Sequence, residues 1–353
     1  MGYLDYQYRQ KIDFNTVADL TDTVFYIDLS DMGSDFWSGI EKSDGSDVVI
    51  TTLADVKINR EIQEFDDVAE EGHLWFEGDA SASGTSFYVY YGKSDATETN
   101  STDPWANDYA SSVHMNDRSG VTCLDSSPLG SGAFAGINSP SYVAGRIGEG
   151  VDFVVADDTY IESSDHTVFH CSNGVTDLPR TWLWWVKPDL TASRVMVAKG
   201  NSGAEYYLEA DGQYMQFFKY AAAGDKGIYI IGPSMVGGSW YHVAFTDDAA
   251  AGTDGMKFYI NGSLQSVDVQ TSGSYTFCEQ SNVDFTPGYY PPSPAIYSDG
   301  VFDEFRFLTR EMSVNEITHI YGNENTSVSS YYTVNSEEKV HLPDLILSLW
   351  SAF

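Results

Sequence analysis

Basic residues are scarce: 18 Lys and Arg stand against 52 Asp and Glu, a formal net charge of −34 over 353 residues. A surface with that deficit repels phosphate, which excludes nucleic-acid binding as a function class. Cysteine is sparse as well. Cys123, Cys171 and Cys278 are odd in number and lack CxxC spacing, so neither a disulfide framework nor a zinc site is indicated. Buried thiols are the expectation, with a bridge between two of them left open. No apolar run reaches the roughly 18 residues of a membrane span, and residues 1–12 lack the basic-then-apolar layout of a secretory leader. Neither membrane insertion nor leader-directed export is expected.

What is abundant points one way. Apolar residues make up 42% of the chain and aromatic residues 14%, enough to fill real cores and to exclude disorder. The 31 Gly, 24 Tyr and an excess of Asp over Glu disfavour long helices and favour strands and turns. The fold class read from this is all-β, and at roughly 150 residues per domain the length suggests two domains in tandem.

Strands are predicted at 8–14, 24–29, 48–52, 61–65, 73–77 and 86–91, with Phe87, Val89 and Tyr91 alternating against Tyr88 and Tyr90. Residues 1–93 are expected to form the first domain. Lys93 to Pro104 has no large apolar residue, so 94–108 reads as a solvated linker. The second domain is placed at 109–323, with its clearest hairpin where 256–260 meets Asn261-Gly262. Only two segments look helical. Ser313 and Glu316 form a capping box in front of Val314, Ile317, Ile320 and Tyr321, and Asp344 to Trp350 is the other. Residues 324–353 read as a tail with an apolar end. Leu345, Leu347, Leu349, Trp350 and Phe353 are assigned to assembly, because large side chains left in water forgo much stabilisation.

Ordered matches run through the second domain: Gly148-Glu149-Gly150-Val151-Asp152-Phe153, Trp182-Leu183-Trp184-Trp185-Val186, Trp240-Tyr241-His242-Val243, Lys257-Phe258-Tyr259-Ile260-Asn261-Gly262 and Gly300-Val301-Phe302-Asp303-Glu304-Phe305. In that order they resemble a laminin-G-like, concanavalin A-type jelly roll. The first domain, with Tyr8-Arg9-Gln10-Lys11-Ile12 and Tyr88-Val89-Tyr90-Tyr91-Gly92-Lys93, resembles a β-sandwich family of undetermined function that often precedes such modules. The resemblance implies two antiparallel β-sandwich (jelly-roll) domains in tandem, in a secreted surface protein or a virion protein of a tailed virus, and without a leader the virion is the expectation. The implied role is that of a non-enzymatic fibre, spike or capsid appendage. Its partners would be other virion subunits or further copies of itself, together with a host surface glycan. A cell-surface adhesin and a glycoside hydrolase are the alternatives.

The glucanase relatives of this fold carry catalytic carboxylates in a Glu-x-Asp-x-x-Glu pattern on one strand face. That pattern reads as absent, the nearest runs being Glu61 to Asp66 and Asp303-Glu304. In such modules an acid at the position of Asp303 often lies near a structural calcium, so the resemblance implies a calcium site at Asp157, Asp158 and Asp303. The competing reading is that Asp303 bonds backbone at a turn. His166 and His170 fit a ligand pair only on a helix, and their surroundings read as strand or loop. Trp182, Trp184 and Trp185 are assigned to the core. The Pro-rich stretch 287–300 should be a loop that presents Tyr289, Tyr290 and Tyr297 to sugar rings.

Overall fold

A computed structural model describes residues 5–116, 118–129, 132–200, 205–221, 226–250, 255–271, 275–291, 295–325 and 331–340. The assembly residues Leu345, Leu347, Leu349, Trp350 and Phe353, and the second expected helix, lie outside them. The chain divides into two compact units, residues 1–104 with 322–353, and residues 105–321.

In the first unit a six-stranded antiparallel sheet runs Tyr332–Val334, Tyr8–Phe14, Thr85–Tyr91, Val49–Thr52, Lys57–Ile58, with Glu338–Lys339 also on Tyr8–Phe14. A three-stranded sheet is made by Leu20–Asp28, Glu71–Ala80 and Arg60–Asp66. Alternation along these strands sends Ile12, Phe14, Phe25, Leu74, Phe76, Phe87 and Val89 into one core. There the Phe14 and Phe25 rings lie 4.7 Å apart and those of Phe76 and Phe87 4.8 Å apart. A short helix that the sequence did not suggest, Gly33–Gly39, buries Phe36 and Trp37 against the same core.

Two boundaries differ from the sequence reading. The expected linker is tied down: Asn100 Oδ1 accepts from Ile62 N at 2.9 Å and from Arg60 Nη1 at 2.7 Å, while its Nδ2 donates to Ile62 O. An asparagine side chain thus continues the hydrogen bonding of the Arg60–Asp66 edge, where composition alone suggested solvent. Part of the expected tail is also sheet. Tyr332–Val334 pairs with Ile12 to Phe14, and the Tyr332 ring packs 5.4 Å from Phe14.

In the second unit an eight-stranded antiparallel sheet runs Ser141–Ala144, Glu149–Phe153, Gly300–Leu308, Arg180–Pro188, Tyr241–Asp247, Met256–Ile260, Ser263–Leu264, with Tyr109–Val113 also on Gly300–Leu308. A six-stranded sheet runs Asp268–Thr271, Lys226–Ser234, Tyr214–Tyr220, Tyr206–Asp211, Arg194–Lys199, Phe285–Pro287. Their inner faces share a core in which Trp182 packs 5.0 Å from Phe217 and Phe245 lies 4.4 Å from Phe258. Trp182, Trp184 and Trp185 are all buried. The Asn261-Gly262 turn has both residues at positive φ, as a two-residue hairpin of this hand demands. The closing helix, Val314–Glu324, is capped reciprocally: Ser313 N donates to Glu316 Oε2 at 2.8 Å and Glu316 N to Ser313 Oγ at 3.3 Å.

Cysteine behaves differently from the expectation of buried thiols. Cys171 and Cys278 form a disulfide that closes a sequence separation of 107 residues, and Cys123 is a buried thiol. Beside the bridge Lys219 points inward, fully buried, with Nζ 2.6 Å from Asp177 and also against Asp247. Tyr275 donates to the same Asp177 at 2.7 Å.

Candidate functional site

The six-stranded sheet of the second unit has a second apolar face, opposite the core. Along Tyr206–Asp211, Tyr206, Leu208 and Ala210 belong to the core, which turns Tyr207, Glu209 and Asp211 outward. Along Tyr214–Tyr220, Met215 and Phe217 are core and Gln216 and Phe218 face out. Register sets Tyr207 opposite Phe218, Phe218 opposite Tyr229 and Tyr229 opposite Gln270. Direct cross-strand neighbours stand close enough for their rings to pair.

The result is a ladder of nearly parallel rings. Tyr290 and Tyr207 have centroids 4.6 Å apart at 25°, Tyr207 and Phe218 4.5 Å at 18°, and Phe218 and Tyr229 4.7 Å at 19°. Rings packed face to face show their edges outward, so a stacking face remains only at an end of the row. Tyr229 is that end, beside Gln270. Two residues along, Glu209 stands opposite Gln216, and Ser193 Oγ donates to Asp211 at 2.7 Å. Tyr207, Phe218, Tyr229, Glu209, Asp211, Gln216, Gln270 and Thr271 line a groove of about 350 Å³, with no Lys, Arg or His in its wall among the described residues. Burial, reinforced by the Glu209 carboxylate, pushes the Tyr207 phenol far above its ordinary range and keeps its proton on. Aromatic edges, one terminal ring face, two carboxylates and two amides are what a hydroxyl-rich ring needs.

A larger cavity, about 600 Å³, is lined by Asp152, Lys187, Asp189 and Asp299 among others, and contains no aromatic ring. It offers hydrogen bonds without a stacking surface.

The three tyrosines expected in an exposed loop sit otherwise. Tyr289–Tyr290 and Ile296–Tyr297 pair as a hairpin, with Tyr289 opposite Tyr297. Tyr289 packs against both Tyr160, at 4.5 Å, and Tyr297, at 4.9 Å, and those two rings lie 6.3 Å from each other, so the three form one cluster. Tyr290 is 4% exposed and belongs to the ladder.

Asp303 is fully buried and accepts from Arg146 N at 2.6 Å, Ile147 N at 2.8 Å and Glu304 N at 2.8 Å. Burial first, then the adjacent Glu304, raises its pKa well above the carboxylate range, against the pull of those amides. Its oxygens hold the 145–148 turn, and among the described residues no group of three His, Cys, Asp or Glu could hold a metal ion. Asp157, Asp158 and Asp303 therefore do not assemble into the calcium site that the resemblance implied. His166 and His170 do not pair either: His166 accepts from Val168 N, and His170 Nδ1 meets Glu205 at 2.9 Å.

The groove residues went unmarked in the sequence because Tyr207, Phe218 and Tyr229 read as ordinary strand aromatics and Glu209, Asp211 and Gln216 as a solvated face, and no local pattern reports which of them meet across strands. One signal was available. Glu209-Ala210-Asp211 supplies the first two positions of the Glu-x-Asp-x-x-Glu pattern, nearer than the runs named above, and Tyr214 stands where the third carboxylate would be.

A stretch of 111 residues, 28% of this chain, is 32% identical to human adhesion G-protein coupled receptor D1 and spans 12% of that receptor. Solved structures with a similar fold include the binding domain of botulinum neurotoxin DC in complex with SialylT (11% identity, TM-score 0.45, 62% of this chain and 52% of that one). The binding domain of Paraclostridial Mosquitocidal Protein 1 is another (13%, TM-score 0.45, 61% and 52%), as is the botulinum neurotoxin type G receptor binding domain (14%, TM-score 0.43, 61% and 51%). This chain spans about half of each, and overlaps this loose transfer no binding function. Residues 156–318 match the concanavalin A-like lectin/glucanases superfamily and form a domain of that superfamily.

Proposed function

We propose that the protein is a non-catalytic adhesive protein that contacts surface glycans through the groove on the outer face of the six-stranded sheet. The observation that carries this reading is the ring ladder ending at Tyr229 beside Glu209, Asp211, Gln216 and Gln270, inside a domain of a lectin-containing superfamily. Apolar ring surface with hydrogen-bond acceptors alongside matches the two kinds of surface on a sugar ring. A glycan array paired with a reducing-sugar assay tests it: binding without turnover is expected, and turnover would overturn it.

A hydrolase is the second reading, favoured by Glu209 and Asp211 on one strand face in an aromatic groove. Retaining hydrolysis needs an acid and a nucleophile about 5 Å apart on either side of the scissile bond. With Tyr214 in place of the third acid, the pattern keeps no partner for Glu209 across the bond. The same assay separates the readings.

The finer placement we propose is a fibre, spike or capsid appendage of a tailed virus, with a cell-surface adhesin as the alternative. It rests on the resemblance of the paired β-sandwiches to virion proteins. The Cys171–Cys278 bridge fits either setting, because disulfides persist outside reducing compartments. Residues 342–353 would dock onto other subunits or further copies. Mass spectrometry of purified particles tests virion membership, and absence of the chain from them would overturn it.

A further inference from the structure

We propose that the groove selects uncharged saccharides and rejects those bearing carboxylate or sulfate groups; this rests on the glycan reading above and adds the class of ligand. Its wall has two carboxylates, Glu209 and Asp211, two amides, Gln216 and Gln270, and no cation among the described residues. An anionic sugar is ordinarily held by a guanidinium, an ammonium or a set of backbone N–H donors.

The described basic side chains of this sheet are all engaged elsewhere. Lys219 is buried on the core side between Asp177 and Asp247. Lys199 is fully buried, 2.6 Å from Asp165 and 3.6 Å from Glu205. Arg194, which stands opposite Ala210 next to the groove strand, turns its guanidinium to Asp299 at 3.5 Å and to Ser193 O at 3.2 Å. Among the described residues an acidic ligand would find no counter-charge without breaking one of these pairs, and it would approach within a few ångströms of two like charges, in the field of a strongly acidic chain. Like charges set against each other at a binding surface exclude the wrong ligand more sharply than they favour the right one. A neutral sugar meets the opposite situation: adjacent hydroxyls donate to the carboxylates, whose hydrogen bonds are stronger than those of neutral acceptors.

The test uses the full chain on an array of neutral glycans printed beside their sialylated, uronate and sulfated counterparts, at low and at physiological salt. Neutral members should bind at least ten-fold more tightly than their acidic counterparts at low salt. The gap should narrow as salt screens the repulsion. The double variant Glu209→Gln with Asp211→Asn, checked for an unchanged melting profile, should shrink the preference to about three-fold or less. Equal or tighter binding of the acidic members by the unaltered chain overturns the selectivity while leaving glycan binding in place. Failure of every glycan to bind overturns the glycan reading itself.

Discussion

Tyr207 and Phe218 face each other across neighbouring strands with ring centroids 4.5 Å apart and planes 18° from parallel. That pair makes the outer face of the sheet a continuous row instead of scattered rings, and it leaves Tyr229 as the row's end. Tyr229→Ala should therefore weaken glycan binding about ten-fold with little loss of stability, since the ring is only half-buried. Tyr289→Ala should do the reverse, lowering the melting temperature and leaving affinity within about two-fold, because that ring packs against Tyr160 and Tyr297 and is not part of the groove wall. Isothermal titration and thermal melts of the two variants distinguish them.

Lys219 carries a different load. Removing it by Lys219→Ala leaves Asp177 and Asp247 facing each other at a buried site, and breaking a buried pair in this way costs about 3–5 kcal/mol. Lys219→Met with both acids neutralised as Asn should recover most of that loss, since an uncharged replacement strands no charge. Urea unfolding of the second unit's fluorescence measures both.

Reduction of Cys171–Cys278 frees a loop of more than a hundred residues in the unfolded chain, and loss of such a bridge costs about 2–5 kcal/mol. Cys123→Ala should leave the bridge and most of the stability intact. Melting with and without reductant checks this, and an unchanged transition on reduction would contradict it.

Glu77, in the first unit, has its carboxyl pushed up to about 7 by burial, with Asp22, Asp103 and Asp79 adding repulsion. A folded-state pKa above the unfolded value means that the folded chain holds this proton more tightly. The stability it contributes is complete below about pH 4.5 and is lost as pH rises towards 7. The group is half-exposed, so solvent screening leaves a change of about 1 kcal/mol. Glu77→Gln should flatten that part of the stability profile, and denaturation curves between pH 4 and about 8 show whether it does.

Legibility in the sequence followed the reach of each signal. Local patterns were sufficient for the Trp182-Leu183-Trp184-Trp185 strand, the Asn261-Gly262 turn and the Ser313–Glu316 cap, because neighbours in sequence determine each of them. The strand at Tyr332–Val334 was lost in a polar context, since its partner Ile12–Phe14 lies more than three hundred residues away and no local pattern reports it. Tyr289 and Tyr290 read as exposed because prolines flank them; Tyr289 instead packs on Tyr160 and Tyr297, and Tyr290 on Tyr207, partners that no local pattern reports. Asp303 was legible as important but not in its role, since its oxygens are taken by the backbone N–H groups of Arg146, Ile147 and Glu304, contacts that only the fold brings together. The groove was hidden by the same aromatic richness that identified the strands.

The claim that the groove is the glycan-binding surface is tested most directly by one comparison on a glycan array: the unaltered chain against the variant Tyr229→Ala with Gln270→Ala, matched for melting temperature. The account predicts that binding seen with the unaltered chain falls at least ten-fold in the variant. Undiminished binding by the variant would contradict it and move the site elsewhere on the protein.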